Sequence, residues 1–325
     1  MKLHENEPLF RQAVQVTAER MGILDIYIEK DYWVCYGLKL IFDSAIKDEV
    51  IFKGGTALSK CYKFIERFSE DIDLVVIRRE EETGNQLKTK LKKITKEITA
   101  PFVEVEMEGI TNKMGMIRKI AYNYPKIFKG DYGQVRDAII IEATWLGYFE
   151  PYTKRILNTY IYDMMNATNQ IPLAEEYGLL PFEAFVLDSR RTLCEKIMSL
   201  VRFSHTEKPI IDLNAKIRHV YDIHQLFKDE TVQQFFTSDD FETMLLKVAH
   251  DDLQSFKNNN DWLKHHPTEA LIFKEPEETW NQLKDTYQND FSFLVYGEPP
   301  KEESILLTII ELSNRLAQIQ WKIEF

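Results

Sequence analysis

The chain has 325 residues, 44% hydrophobic and 29% charged, a make-up that suits a globular protein with room for two domains and a sizeable core. Its 52 acidic and 41 basic residues leave a net charge of −11, which argues against broad non-specific nucleic-acid binding but allows a local basic site. No apolar run approaches the roughly 20 residues that span a bilayer, and the N-terminus MKLHENEPLF has no secretory pattern. Cys35, Cys61 and Cys194 have no disulfide or metal spacing, so a cytoplasmic, reducing setting with no membrane partner is expected.

In chain order, residues 8–22 read as an amphipathic helix ending near Gly22. IEKDYWVCYGLKLIFDSAI, from Ile28, reads as a longer, mostly buried helix, with Lys30 a surface charge and Asp31 a helix-start acid. The stretch that organises the rest follows, IFKGGTALSKCYKFIERFSEDIDLVV, from Ile51 to Val76. Ile51 and Phe52 form a short β-run that stops at Gly54 and Gly55, a pair that tolerates backbone angles other residues avoid. Thr56 is placed to cap a helix on which Leu58, Tyr62 and Ile65 recur. Ile72, Leu74 and Val76 then alternate with Asp71 and Asp73, so both carboxylates share one face of a strand. Adjacent acids repel each other unless a cation lies between them. A hard divalent ion fits, since Mg²⁺ usually takes one or two carboxylates plus substrate phosphates. A glycine turn ahead of a helix offers backbone N–H groups to those phosphates. Turn, helix and Asp-x-Asp strand together suggest nucleotidyl transfer.

Glu81 to Thr99 reads as a helix ended by Ala100-Pro101. Its Lys88, Lys90, Lys92, Lys93 and Lys96 read as a solvated face; with Lys113, Arg118, Lys119, Lys126 and Lys129, which follow, the alternative is a track for a polyanionic acceptor. Residues 102–107, 113–124 and 135–145 read as strands. Within the last, Glu142 is the only charge in AIIIEATW, either an edge acid reaching solvent or a third carboxylate beside the aspartates. Residues 147–181 read as irregular loops whose aromatics serve a core or domain junction, with stacking on a base as the alternative. Past Asp188 the pattern is helical: a Ser189-capped helix to Phe203, then 210–228, 237–256 opened by a capping-box-like TSDD, 276–290 and 302–322. The expected architecture is α/β (α+β): a mixed-sheet domain over 1–185 followed by an all-helical domain over 186–325.

GGT, fourteen residues, then DID resembles the signature of the DNA polymerase β-type nucleotidyltransferase superfamily. The fuller FKGGTALSK…RFSEDIDL resembles the AbiEii/AbiGii-type toxin branch, the toxin half of type IV toxin–antitoxin pairs. The segments EKDY, TLCEKIMSLVR and KIRHVYDIHQL are similar to further motifs of that family, although His219 stands where the family generally has an acid; if the EKDY helix begins beside the glycine turn, Lys30 or Asp31 could touch the nucleotide. The resemblance implies a polymerase β-like domain that moves NMP from an NTP to a hydroxyl, with RNA, above all the tRNA 3′ end, as acceptor. It implies two Mg²⁺ ions held by Asp71, Asp73 and Glu142, with Glu142 also in reach of the nucleophile's proton. Gly54, Gly55 and Thr56 would bind the β- and γ-phosphates, Lys196 would neutralise the leaving pyrophosphate, and Arg202 and Asp222 would complete the nucleotide site. A cognate antitoxin encoded nearby is the implied partner.

Read from the residues alone, Lys196 is equally a snorkelling surface lysine, and Asp222 a salt-bridge partner for Lys196 or Arg218. Two other functions remain open: transfer to a small molecule or protein, and non-enzymatic nucleotide binding. GGTALSK has no glycine directly before Lys60 and has Cys61 where Ser or Thr should follow, so it is not a Walker P-loop. The histidines have no zinc spacing, and no Ser or Cys sits in a nucleophile motif.

Overall fold

The structure, a computed structural model, describes residues 1–133 and 135–325. The chain forms two compact units, one of residues 1–63, 68–145 and 152–187, the other of residues 64–67, 146–151 and 188–325.

The first unit is built on a seven-stranded sheet ordered β3-β4-β5-β2-β1-β7-β6. Its strands are β1 (Val50–Lys53), β2 (Ile72–Val76), β3 (Val103–Val105), β4 (Ile117–Asn123), β5 (Ile139–Thr144), β6 (Tyr152–Leu157) and β7 (Phe182–Leu187). The sheet is mixed: β2 runs parallel to β5 and β1 parallel to β7, while the other pairs are antiparallel. The central strands are apolar on both faces, and Ile51, Phe52, Val75, Ile139 and Ile141 are all buried, as a sheet covered on both sides requires. Its helices are α1 (Glu7–Met21), α2 (Asp25–Phe42), α3 (Gly54–Ala57), α4 (Gly84–Glu97), α5 (Tyr160–Ala167) and α6 (Ile171–Glu176). Gly22 ends α1 in the left-handed conformation, φ 67°.

Several expectations need correction here. The helix after the glycine turn starts at Gly54 itself and continues as a π-helical turn to Tyr62, so Thr56 is not its cap and Ile65 lies outside it. The stretch 147–181 is not irregular, for it holds β6, α5 and α6. β6 escapes a sequence reading because it is an edge strand whose residues 152–156 are all exposed, so no apolar alternation marks it. α2 starts at Asp25, which puts Lys30 and Asp31 in its second turn, both buried.

The second unit is helical, with α7 (Ser189–Ser204), α8 (Pro209–Asn214), α9 (Ile217–Leu226), α10 (Glu230–Thr237), α11 (Asp239–Ser255), α12 (Leu271–Lys274), α13 (Pro276–Asp285) and α14 (Glu302–Leu316). The cap of α7 is Asp188, whose side chain accepts from the Arg190 N–H, rather than Ser189. The span 210–228 is two helices rather than one. Ser238 precedes α11 without capping it, since its hydroxyl donates to the Phe235 carbonyl instead.

Candidate active site

Strand register assembles the acidic site. Asp73 lies opposite Lys53 on β1 and opposite Glu142 on β5, and Glu142 lies opposite Lys119 on β4. Directly opposed residues project to the same face, so Lys53, Asp73, Glu142 and Lys119 form one charged row across four strands. Asp71, two residues before Asp73, joins that face at the head of β2. Lys119 Nζ meets Glu142 at 2.7 Å, and Arg136 reaches Asp71 at 3.4 Å.

Burial, together with the charges of Asp71 and Glu142, pushes the Asp73 carboxyl up to about 7, with Lys53 and Lys119 pulling the other way. Gly54 closes the site from β1. Its φ of 80° is left-handed, and a Cβ there would fall inside the Asp73 carboxylate, so only glycine leaves that carboxylate its space. These features fit a hard divalent cation, which would relieve the mutual repulsion of the acids. Among the described residues no three His, Cys, Asp or Glu side chains form a ready metal cage.

The turn residues take different places. Gly54 and Gly55 begin α3, whereas Thr56 is buried and its hydroxyl lies 3.0 Å from that of Ser69. The segment Glu29-Lys30-Asp31 on α2 is a buried hub. The Glu29 carboxylate accepts from the backbone N–H groups of Ile127 (2.7 Å) and Phe128 (3.2 Å). Lys30 donates to the Arg136 carbonyl, and burial brings its ammonium down to about 8 despite the nearby Glu70 and Asp71. Asp31 takes Lys60 Nζ at 2.5 Å and the Tyr160 N–H at 2.8 Å. Successive helix residues point about 100° apart, so three neighbours hold three separate segments. Lys30 and Asp31 are thus neither a surface charge nor a helix-start acid.

The helical unit carries the other expected residues. Asp222, fully buried on α9, takes the Arg67 guanidinium through both oxygens (2.7 and 2.8 Å) and Lys196 Nζ at 2.7 Å. Burial would raise its carboxyl, but Arg67 and Lys196 outweigh that and hold it well below the ordinary range. Lys196 is itself 6% exposed, which is not a snorkelling surface lysine. Burial and the Lys196 charge keep His219 neutral, and its Nδ1 has no hydrogen-bond partner among the described residues. Arg202 is elsewhere on α7, packed over the rings of Phe203 (4.7 Å) and Phe256 (4.2 Å).

Sequence reasoning did not single out Lys53, Arg136 or Arg67, and it read Lys119 only as one of a basic run. Arg67 lies within the quoted RFSEDIDL string, and Lys53 directly precedes the glycine pair. Only register or tertiary contact shows what any of the four meets.

The family model described as nucleotidyl transferase AbiEii toxin, type IV TA system, matches residues 38–318. No curated protein matches the chain in sequence. Among solved structures the chain is similar to MenT4, a nucleotidyltransferase toxin from Mycobacterium tuberculosis H37Rv, at 14% identity over 94% of this chain and 98% of that one, with a TM-score of 0.46. With the family model spanning most of its length, the chain belongs to the AbiEii family: it is a nucleotidyltransferase toxin of the type IV toxin–antitoxin class.

Proposed function

We propose that the protein transfers NMP from an NTP to a hydroxyl of RNA, foremost the tRNA 3′ end, in a magnesium-dependent reaction that releases pyrophosphate and acts in the cytoplasm. The observation that carries this reading is the register that sets Glu142 beside Asp73, with Asp71 on the same face and the Gly54 turn against it. Asp71, Asp73 and Glu142 would hold the metal, two ions being expected. Bound there, magnesium would lower the pKa of the attacking hydroxyl and offset charge on the leaving pyrophosphate.

The chain's own residues supply the rest. Gly54, Gly55 and Thr56 would cradle the β- and γ-phosphates through the start of α3, where backbone N–H groups are unsatisfied by the helix. Glu142, paired with Lys119 in the ligand-free chain, would accept the nucleophile's proton. Lys196, oriented by Asp222, would answer negative charge that builds on the leaving group. Arg202, stacked on Phe203 and Phe256, is the further proposed nucleotide contact. A cognate antitoxin is the proposed regulatory partner.

Incubation with each labelled NTP, Mg²⁺ and, separately, total RNA, protein or small-molecule extract tests the reading. Label is expected in RNA at the tRNA 3′ end. Label in protein or small molecules replaces RNA as the acceptor, and nucleotide binding without any transfer removes the enzymatic reading of the site.

A further inference from the structure

Both outer carboxylates of the acid cluster carry a cation, and those two ion pairs are built unlike the structural ones elsewhere. Lys60 is 1% exposed against Asp31, and Arg67 is 3% exposed and forked onto Asp222. Lys90 is 9% exposed among Glu49, Glu82 and the Ile77 carbonyl. Lys119 and Arg136 have side chains 31% and 40% exposed, and each meets its carboxylate through one nitrogen. Half-buried pairs of that kind remain in contact with water and hold less firmly than the buried ones. They are the ion pairs that an incoming divalent cation displaces most easily.

Both cations are also tethered. Lys119 lies opposite Glu142 in the β4–β5 ladder, and the Arg136 carbonyl is held by buried Lys30. A released head group therefore stays beside the acids, where the polyphosphate of a metal-bound nucleotide has to lie. Both side chains carry several N–H donors and no acceptor, which suits phosphate oxygens.

We infer that Lys119 and Arg136 are resident counter-ions of the acid cluster that give way to the metal-bound nucleotide and then bind its phosphates. The inference rests on the metal reading of Asp71, Asp73 and Glu142 proposed above. It makes two affinities move in opposite directions, which a purely structural role does not.

The test uses the full chain as Lys119→Ala, Arg136→Ala and the double variant, with thermal melting to confirm that each is folded. Calorimetry with Mn²⁺ alone is expected to show tighter metal binding in each variant, roughly three- to tenfold, because a competing cation is gone. Binding of ATP, CTP, GTP and UTP in turn, with Ca²⁺ present, is expected to weaken about tenfold for the preferred triphosphate. Lys119→Arg should retain triphosphate affinity. The inference is overturned if both affinities fall, if neither changes, or if metal binding tightens while the triphosphate is bound as before. Absence of Mn²⁺ binding by the wild-type chain instead removes the metal reading itself, and the inference with it.

Discussion

At Gly54 backbone conformation and chemistry meet in one residue. Its left-handed φ costs a residue with a Cβ about 1–2 kcal/mol, and the Cβ would also enter the Asp73 carboxylate. Gly54→Ala is therefore expected to abolish transfer and lower stability by roughly 1–3 kcal/mol, read by label transfer and thermal melting. Wild-type transfer in this variant would remove Gly54 from the site. At the acids the signs differ. Asp71→Asn and Asp73→Asn should each nearly abolish transfer while leaving the metal-free fold as stable or more so, because repulsion among Asp71, Asp73 and Glu142 is relieved. Either variant turning over at near wild-type rate contradicts the assignment of metal ligands.

At the scale of elements, two buried ion pairs hold segments together. On α2, Asp31 joins Lys60 to the start of α5 through the Tyr160 N–H. Removing one partner leaves the other charge buried, so Asp31→Ala should lose about 3–5 kcal/mol. An apolar pair such as Asp31→Leu with Lys60→Met should recover much of that, and melting temperatures of the three proteins check both statements. On α9, Asp222 is charged in the fold at pH values where the unfolded chain already takes up the proton. Its contribution is therefore complete above the ordinary carboxylate range, about pH 4, and is lost as pH falls through the lower folded value. Asp222→Asn should melt well below wild type at pH 7, by roughly 3–5 kcal/mol, and the gap should narrow below about pH 4. A gap that is flat from pH 7 to pH 3 means that Asp222 is not charged in the fold.

For the whole molecule, the charge of −11 bounds how an RNA acceptor is held. A net acidic surface repels the phosphate backbone except at local basic groups. Each phosphate neutralised on single-stranded RNA contributes about −0.7 to the slope of log K against log salt. A shallow slope, no steeper than about −3, is expected for tRNA between 50 and 200 mM salt, corresponding to about four phosphates. A much steeper slope would mean an extended basic track. In the lysine-rich helix α4, Lys90 is not part of any such track, since it is buried against Glu49 and Glu82.

The sequence alone determined the fold class and the family, because local spacing carries both: the glycine pair, the alternating Asp-x-Asp strand and the helical periodicity beyond Asp188 are short-range patterns. It also singled out Glu142, since a lone acid in an apolar strand stands out without any structure. It did not reveal β6, whose exposed residues carry no apolar period, or the buried places of Lys30 and Asp31, since a charge in a helix looks the same wherever its partner lies. Tertiary structure alone decided which residues face one another: Glu142 beside Asp73 and Lys119 beside Glu142 through β-ladder register, and Arg67 on Asp222 across 155 positions of sequence. The physical reason is that register and long-range ion pairing depend on which strands and helices pack together, and a one-residue slip in a ladder would turn the same acids to the opposite face.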